Sequence, residues 1–138
     1  MIDLDESFYF KPESGRLLVS PADETPSEPC NAAADPYDVA LAVDRLERAT
    51  TIRVSHVSHR WAGLRSFVAD RTPVVGPDPA CPGLVWLAAQ GGYGVQTAPA
   101  LARCCAALAA GEPLPDDVAG LGLHASALAP RRPGLTGT

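Results

Sequence analysis

A glycine-rich turn between two apolar runs is the segment best suited to chemistry. Residues 84–89 are typical of a strand, residues 90–94 (QGGYG) of a turn, and residues 95–110 of a helix whose single charge is Arg103. Such a turn aims backbone N–H groups and the positive end of the helix dipole at whatever lies in front of it. The pattern predicts a site for an electron-rich group, although close packing of helix on sheet would also explain the glycines.

Histidine and cysteine spacings favour no metal site. His56 and His59 lie in a segment predicted to be a strand, where this spacing places them on opposite faces, so we assign them no metal. The four cysteines lack zinc-ligand spacing, and we expect them to be reduced and buried. They are Cys30, Cys81, Cys104 and Cys105.

Length and composition favour one globular domain with many sharp turns. The 138 residues include 14 Pro and 12 Gly, and 46% are hydrophobic. A formal net charge of -5, with Lys11 as the single lysine, argues against a nucleic-acid or anionic-membrane surface. No run approaches the 18 apolar residues of a membrane span, and the first residues lack a secretory signal, so we expect a cytoplasmic protein.

Local patterns predict the elements of the first half. Residues 8–11 and 16–20 are short aromatic and branched runs on either side of a turn, which predicts an antiparallel hairpin. Residues 21–31 are typical of a surface loop. Asp35 and a following proline predict the start of an amphipathic helix over residues 36–50.

Short apolar runs bounded by Pro and Gly predict three more strands, within 52–68, at 73–76 and at 84–88. We expect the helix over 95–110 to be buried, with Pro99 tolerated only in its first turn and Gly111 ending it. The tail from residue 112 permits at most one short helix, near 116–121. The predicted fold class is α+β, an antiparallel sheet fragment with a covering helix and then a strand-turn-helix, in the order β-β-α-β-β-β-α.

Three ordered motifs resemble those of the FAD-dependent D-amino-acid oxidases and dehydrogenases. They are residues 61–67 (WAGLRSF), 70–77 (DRTPVVGP) and 90–97 (QGGYGVQT). Residues 8–13 (FYFKPE) also resemble the substrate-domain strand of that family, and the likeness, which covers about residues 8–110, is nearest to members that oxidise D-arginine. The resemblance implies FAD as cofactor and hydride transfer from a D-amino acid to the flavin, which yields an imino acid and then a 2-oxo acid.

The resemblance also implies a division of the chain. Residues 1–68 would be the carboxyl-terminal part of a substrate-binding domain, residues 69–112 the closing strand-turn-helix of the FAD domain, and residues 113–138 a tail.

By the same resemblance, Tyr9 and Arg65 face the substrate carboxylate, and Gly92 offers its backbone carbonyl to the amino group. A guanidinium fork suits a carboxylate, and a phenol adds a further hydrogen bond without a competing charge. No catalytic side chain is implied, because the cofactor supplies the reactivity. The residues implied to bind the flavin are Gly63, Gly91, Gly92, Tyr93, Gly94 and Gln96.

One family feature does not occur in the sequence, namely the GxGxxG dinucleotide-binding turn with its acidic ribose ligand. We therefore interpret the chain as the carboxyl-terminal part of an enzyme whose amino-terminal FAD-binding segment is a missing partner, and we expect the isolated chain to be inactive. Two alternatives remain open. One is a fragment of a glycine or sarcosine oxidase, and the other is a noncatalytic binding module derived from this fold.

Overall fold

The computed structural model describes residues 1–135, and the chain divides into two compact units, Met1–Leu64 and a second that begins at Arg65. Residues 136–138, the end of the predicted tail, lie outside the described residues. Each unit contains a small antiparallel sheet and at least one helix, so the predicted α+β class is confirmed.

The first unit opens with the predicted hairpin. Strands β1 (Tyr9–Glu13) and β2 (Arg16–Ser20) pair antiparallel around a two-residue turn. Ser14 and Gly15 both have positive φ, 48° and 77°, as the twist of a tight hairpin requires. The local turn chemistry thus fixes the register of the pair.

Helix α1 (Pro36–Ala49) forms where its capping signals place it. The side chain of Asp35 accepts a hydrogen bond of 2.7 Å from the backbone N–H of Tyr37, and the proline occupies the first helical position. Ala42 and Leu46, which are one turn apart, are its buried residues. The predicted amphipathic helix is confirmed.

Arg45 ties this helix to the chain on both sides of the hairpin. Its guanidinium donates to the carbonyl of Ser7 and, at 2.9 Å, to the carbonyl of Pro21. Phe8 and Leu46 are buried, at 6% and 1% exposure. The predicted covering helix on a sheet fragment is therefore confirmed.

The strand predicted within residues 52–68 is wrong. Between residues 51 and 73, all of which the structure describes, the chain forms no strand. Trp61 and Leu64 are 69% and 50% exposed. Alternating residues favour an extended backbone, but a strand needs a neighbouring strand to complete its ladder of hydrogen bonds. Among the described residues no strand pairs with this segment.

The second unit is built on strands β3 (Val74–Pro77) and β4 (Val85–Ala88), which pair antiparallel, with helix α2 (Gly94–Ala109) packed on them. Both strands and the helix occur where the sequence predicts them. The buried core cluster consists of Val75, Leu101, Cys104, Leu114 and Leu128.

Helix α2 differs from its prediction in two respects. It is not buried all round, because its buried residues are Leu101 and Cys104, and Val95 is 95% exposed. Apolar residues are buried only where another element covers them. In this chain the sheet of β3 and β4 covers one side of the helix. Pro99 is the sixth helical residue rather than a first-turn residue. Because proline has no N–H, the carbonyl of Val95 accepts no hydrogen bond from residue 99.

Gly111 ends this helix as predicted, with φ of 76° and an N–H that donates to the Leu108 carbonyl at 3.2 Å. The tail then forms two short helices, α3 (Asp116–Ala119) and α4 (Ala125–Leu128). Helix α3 lies where the sequence predicts a short helix. The prediction that the tail contains at most one helix is wrong, because α4 also forms. Leu128 of α4 is 2% exposed, so contact with the core cluster accounts for a helix that has no strong local signal.

All four cysteines are free thiols, as predicted. Their predicted burial holds for Cys104, while Cys105 is half-buried and Cys30 and Cys81 are exposed because they lie in irregular or turn segments. Among residues 1–135, none of the helices combines the length and the hydropathy of a membrane-spanning segment.

Candidate functional site

The predicted site residues fall in both units. Tyr9 lies on β1 and is 39% exposed, and Gly63 lies in the same unit. A Cβ added at Gly63 would meet no described atom within 4 Å, so the local packing does not require glycine there. The other predicted residues belong to the second unit and are Arg65, Gly91, Gly92, Tyr93, Gly94 and Gln96.

The turn between β4 and α2 is held against the chain around Phe67. Gly91 has φ of 56°, and its N–H donates to the carbonyl of Ser66 at 3.1 Å. A Cβ at Gly91 would lie 2.6 Å from Cε1 of Phe67. Both the left-handed backbone and the aromatic ring therefore require glycine at this position.

Arg65 lies against the next glycine. A Cβ at Gly92 would lie 2.8 Å from Nη1 of Arg65. The guanidinium carbon of Arg65 is also 5.6 Å from the centre of the Phe67 ring, a distance at which a cation is attracted to the ring face. The structure thus brings together two predicted substrate-binding residues, Arg65 and Gly92, at one turn.

The same turn begins α2, whose N-terminal end is suited to an electron-rich group. The first four N–H groups of an α-helix have no intrahelical acceptor, and the dipole places roughly half a positive elementary charge there. In the described structure the N-cap side chain, Tyr93, makes no capping hydrogen bond, and the first turn carries no acidic residue. Tyr93 is half exposed, and Gln96 is exposed. This end therefore retains its capacity to stabilise negative charge.

These features fit one end of a flavin. Close approach of backbone at Gly91 and Gly92, uncapped helical N–H groups and a neighbouring cation suit the electron-rich pyrimidine side of an isoalloxazine ring. The pyrophosphate and ribose require a different fingerprint, and the 138 residues contain no GxGxxG.

Two hollows of about 250 and 270 Å³ occur in the second unit, but neither is lined by a predicted site residue. The larger one lies beside Trp86, whose indole N–H donates to Asp78 at 2.9 Å and lowers the pKa of that carboxyl.

Sequence reasoning missed a set of residues that surround the turn. The Arg71 guanidinium carbon lies 4.6 Å from the Phe67 ring centre. Arg132, from the tail, is 9% exposed and forms an ion pair of 2.6 Å with Asp70. Hydrogen bonds from Arg132, and from the backbone N–H of Thr72, lower the pKa of Asp70 from 3.8 to about 2. Asp70 and Arg71 belong to a recognised motif, but no local signal distinguishes Arg132 from its neighbour Arg131.

Comparison with known families agrees with the geometry at the turn. Residues 1–108, which run from the hairpin almost to the end of α2, match the family described as FAD dependent oxidoreductase. The match covers more than half of the chain and includes both the Arg65 segment and the glycine turn. The chain therefore belongs to the FAD dependent oxidoreductase family, and its cofactor is FAD.

Proposed function

We propose that this chain is the carboxyl-terminal part of an FAD-dependent oxidoreductase that oxidises D-amino acids, with D-arginine as the first substrate to test. The observation that carries the proposal is the position of Arg65, whose guanidinium lies against Gly92 beside the positive end of α2. A cation for a carboxylate and a helix end for a flavin thus meet at one turn.

Arg65 is proposed to bind the substrate carboxylate. A guanidinium donates two parallel, charge-assisted hydrogen bonds to a carboxylate, and this fixes orientation as well as affinity. The role of Tyr9 in substrate binding stays a prediction from the family resemblance. Fixing the carboxylate at two points orients the Cα–H bond, which is the main contribution a protein makes to this reaction.

Gly92 is proposed to accept a hydrogen bond from the substrate amino group through its backbone carbonyl. The N–H groups of Gly94, Val95 and Gln96 would stabilise negative charge on the pyrimidine side of the ring. When bound, FAD supplies the acceptor for the hydride that leaves Cα. The imino acid formed then reacts with water to give a 2-oxo acid and ammonia.

The proposal includes dependence on an amino-terminal FAD-binding segment. Its support is the sequence content, which includes contacts for the ring end of the cofactor but no dinucleotide fingerprint. The two-stranded sheet also leaves Trp86 and Leu87 about two-fifths exposed, at 39% and 40%, which indicates apolar surface available to a further segment.

Titration of the purified 138-residue chain with FAD, followed by flavin fluorescence, tests this dependence. We expect weak binding and no turnover of D-arginine with an artificial electron acceptor, because the pyrophosphate and ribose sites are not supplied. Tight stoichiometric binding with turnover would show that the chain is self-sufficient.

Substitution of Arg65 tests the substrate assignment in the complete protein. We expect Arg65→Ala to lower kcat/KM for a D-amino acid by the equivalent of about 2–5 kcal/mol, the range for removing one partner of a charge pair that binding buries. Bound FAD should be retained, and Arg131→Ala, at an exposed arginine, is the matched control. An unchanged kcat/KM would exclude Arg65 as the carboxylate ligand. Preference for glycine or sarcosine in a substrate panel would identify the alternative enzyme class, and a protein without flavin would indicate a binding module.

A further inference from the structure

Arg132 joins the tail to the turn at residues 70–73 through an unusually complete set of hydrogen bonds. Its Nε and Nη2 donate to the two carboxylate oxygens of Asp70, at 2.6 and 2.8 Å. The remaining donors reach the carbonyl of Thr72 at 2.5 Å, that of Pro73 at 3.3 Å and that of Ala129 at 3.2 Å. One buried guanidinium therefore fixes both the side chain and the backbone of the turn.

The turn that Arg132 fixes contains a strained residue. Arg71 has φ of 60°, a conformation that costs a non-glycine residue energy and persists only where its surroundings enforce it. Its N–H donates to the carbonyl of Val68 at 2.9 Å, and the residues on either side are held by Arg132. The direction in which the Arg71 side chain leaves the backbone is thus set by the tail.

The Arg71 side chain leads directly to the proposed site. Its guanidinium carbon is 4.6 Å from the Phe67 ring centre, and that of Arg65 is 5.6 Å from the same centre. A Cβ added at Gly91 would also lie 2.6 Å from Cε1 at the edge of this ring. Phe67 is therefore the contact that Arg71, Arg65 and the glycine turn share.

We propose that Arg132 is a positioning residue for this site: its ion pair with Asp70 holds Arg71 on Phe67, and Phe67 keeps Arg65 and Gly91 in place for substrate and flavin. The inference rests on the proposed function, since it assigns the tail a role in that same site. In this proposal Arg132 also neutralises the charge of the Asp70 carboxylate. Without Arg132 the Asp70 carboxylate would attract the adjacent Arg71 and draw it away from the ring.

Charge neutralisation predicts that a second substitution, at Asp70, restores function to an Arg132 variant. Loss of tail packing alone does not predict such a rescue. Arg132→Met should disturb the site, because it leaves the Asp70 carboxylate without its main cation. Adding Asp70→Asn removes that carboxylate and should restore most of the lost function, although the ion pair is still absent. Arg131→Met, at the exposed neighbouring arginine, is the matched control.

The first measurement reads the position of Phe67 without reference to activity. Fluorophenylalanine introduced at position 67 alone in the complete protein gives a single ¹⁹F signal. We expect the Phe67 signal to move in Arg132→Met, to stay in Arg131→Met and to return in the double variant. An unmoved Phe67 signal in Arg132→Met overturns the proposal.

The second measurement is steady-state kinetics of the flavin-loaded protein. A displacement of about 1 Å in a positioning group lowers rates by about 10²-fold, so we expect kcat/KM for the D-amino acid to fall by about that factor in Arg132→Met. A moved ¹⁹F signal with unchanged kcat/KM overturns the proposal. Should Arg132→Met fail to fold, Arg132→Lys, which keeps the charge but loses the fork, replaces it, with a smaller fall expected and an unchanged kcat/KM again overturning the proposal.

These outcomes separate the inference from the proposed function. If the wild-type holoprotein fails to oxidise D-amino acids, the proposed function is wrong, and the visible spectrum of bound FAD then tests the inference. A spectrum shifted in Arg132→Met but not in Arg131→Met supports positioning of the turn, and identical spectra overturn it.

Discussion

The two units of this chain are stabilised in different ways. The first depends on elements close in sequence, a hairpin and a helix with Phe8, Ala42 and Leu46 as buried residues. The second gathers distant segments, since its core and its buried ion pair include residues of the tail such as Leu128 and Arg132. Most of the proposed site residues belong to the second unit. Support for the site therefore comes from a part of the chain that carries none of its chemistry.

The largest expected effects come from the two cores. Leu46→Ala and Leu128→Ala each remove a nearly fully buried side chain, and each should cost about 2–5 kcal/mol of unfolding free energy. Amide hydrogen exchange within each unit, compared with wild type, measures the loss. If Leu128→Ala lowers the unfolding free energy by less than about 1 kcal/mol, the tail is not an integral part of its unit.

Gly91→Ala tests how strictly the turn between β4 and α2 is packed. The new Cβ would collide with Phe67, and overpacking of this kind costs about 1–3 kcal/mol beyond the strain of positive φ. Gly83→Ala is the matched control, because Gly83 also has positive φ, 89°, but its Cβ would meet no described atom within 4 Å. Urea unfolding of both variants gives the difference, and equal costs would contradict the Phe67 contact.

The Asp70–Arg132 pair should make the second unit acid-sensitive in a defined range. The pKa of Asp70 is lowered from 3.8 to about 2, so its stabilising contribution is complete above pH 3.8 and is lost as pH falls through about 2. We expect NMR titration of the Asp70 carboxyl to give a midpoint near the lower value. Arg132→Met should return the midpoint towards 3.8, and an unchanged midpoint would show that another group lowers it.

A smaller effect is expected at the N-terminus of α1. Asp35→Ala removes the hydrogen bond to the backbone N–H of Tyr37, and loss of such a cap costs about 0.5–2 kcal/mol. Glu28→Ala, at an exposed loop position, is the control. Thermal unfolding followed by circular dichroism should rank the two, and equal stability would contradict the capping role.

Sequence patterns predict the locally determined parts of both units. The hairpin, the capped α1 and the strand-turn-helix at Gly91 follow from turn residues, caps and periodicity. Residues 52–68 were mispredicted because an extended pattern does not supply a pairing strand. Helix α4 and the ion pair of Arg132 with Asp70 could not be predicted, since both depend on contacts with segments distant in sequence.

The candidate site also has a part that sequence motifs predict and a part that they do not. The motif that contains Arg65 and the glycine turn at Gly92 indicated the two groups that the structure brings together. The surroundings that hold them, Arg71 on Phe67 and Arg132 on Asp70, have side chains of ordinary types at ordinary spacings. Only packing distinguishes the buried Arg132 from the exposed Arg131.

Anaerobic reduction of bound FAD by a D-amino acid tests the account most directly. Loss of the oxidised-flavin absorbance is followed after mixing D-arginine with the complete protein, wild type and Arg65→Ala. The account predicts rapid reduction of the wild type, much slower reduction of the variant, and the same amount of FAD bound to both. Equal rates in the two proteins, or no reduction by any D-amino acid, would contradict it.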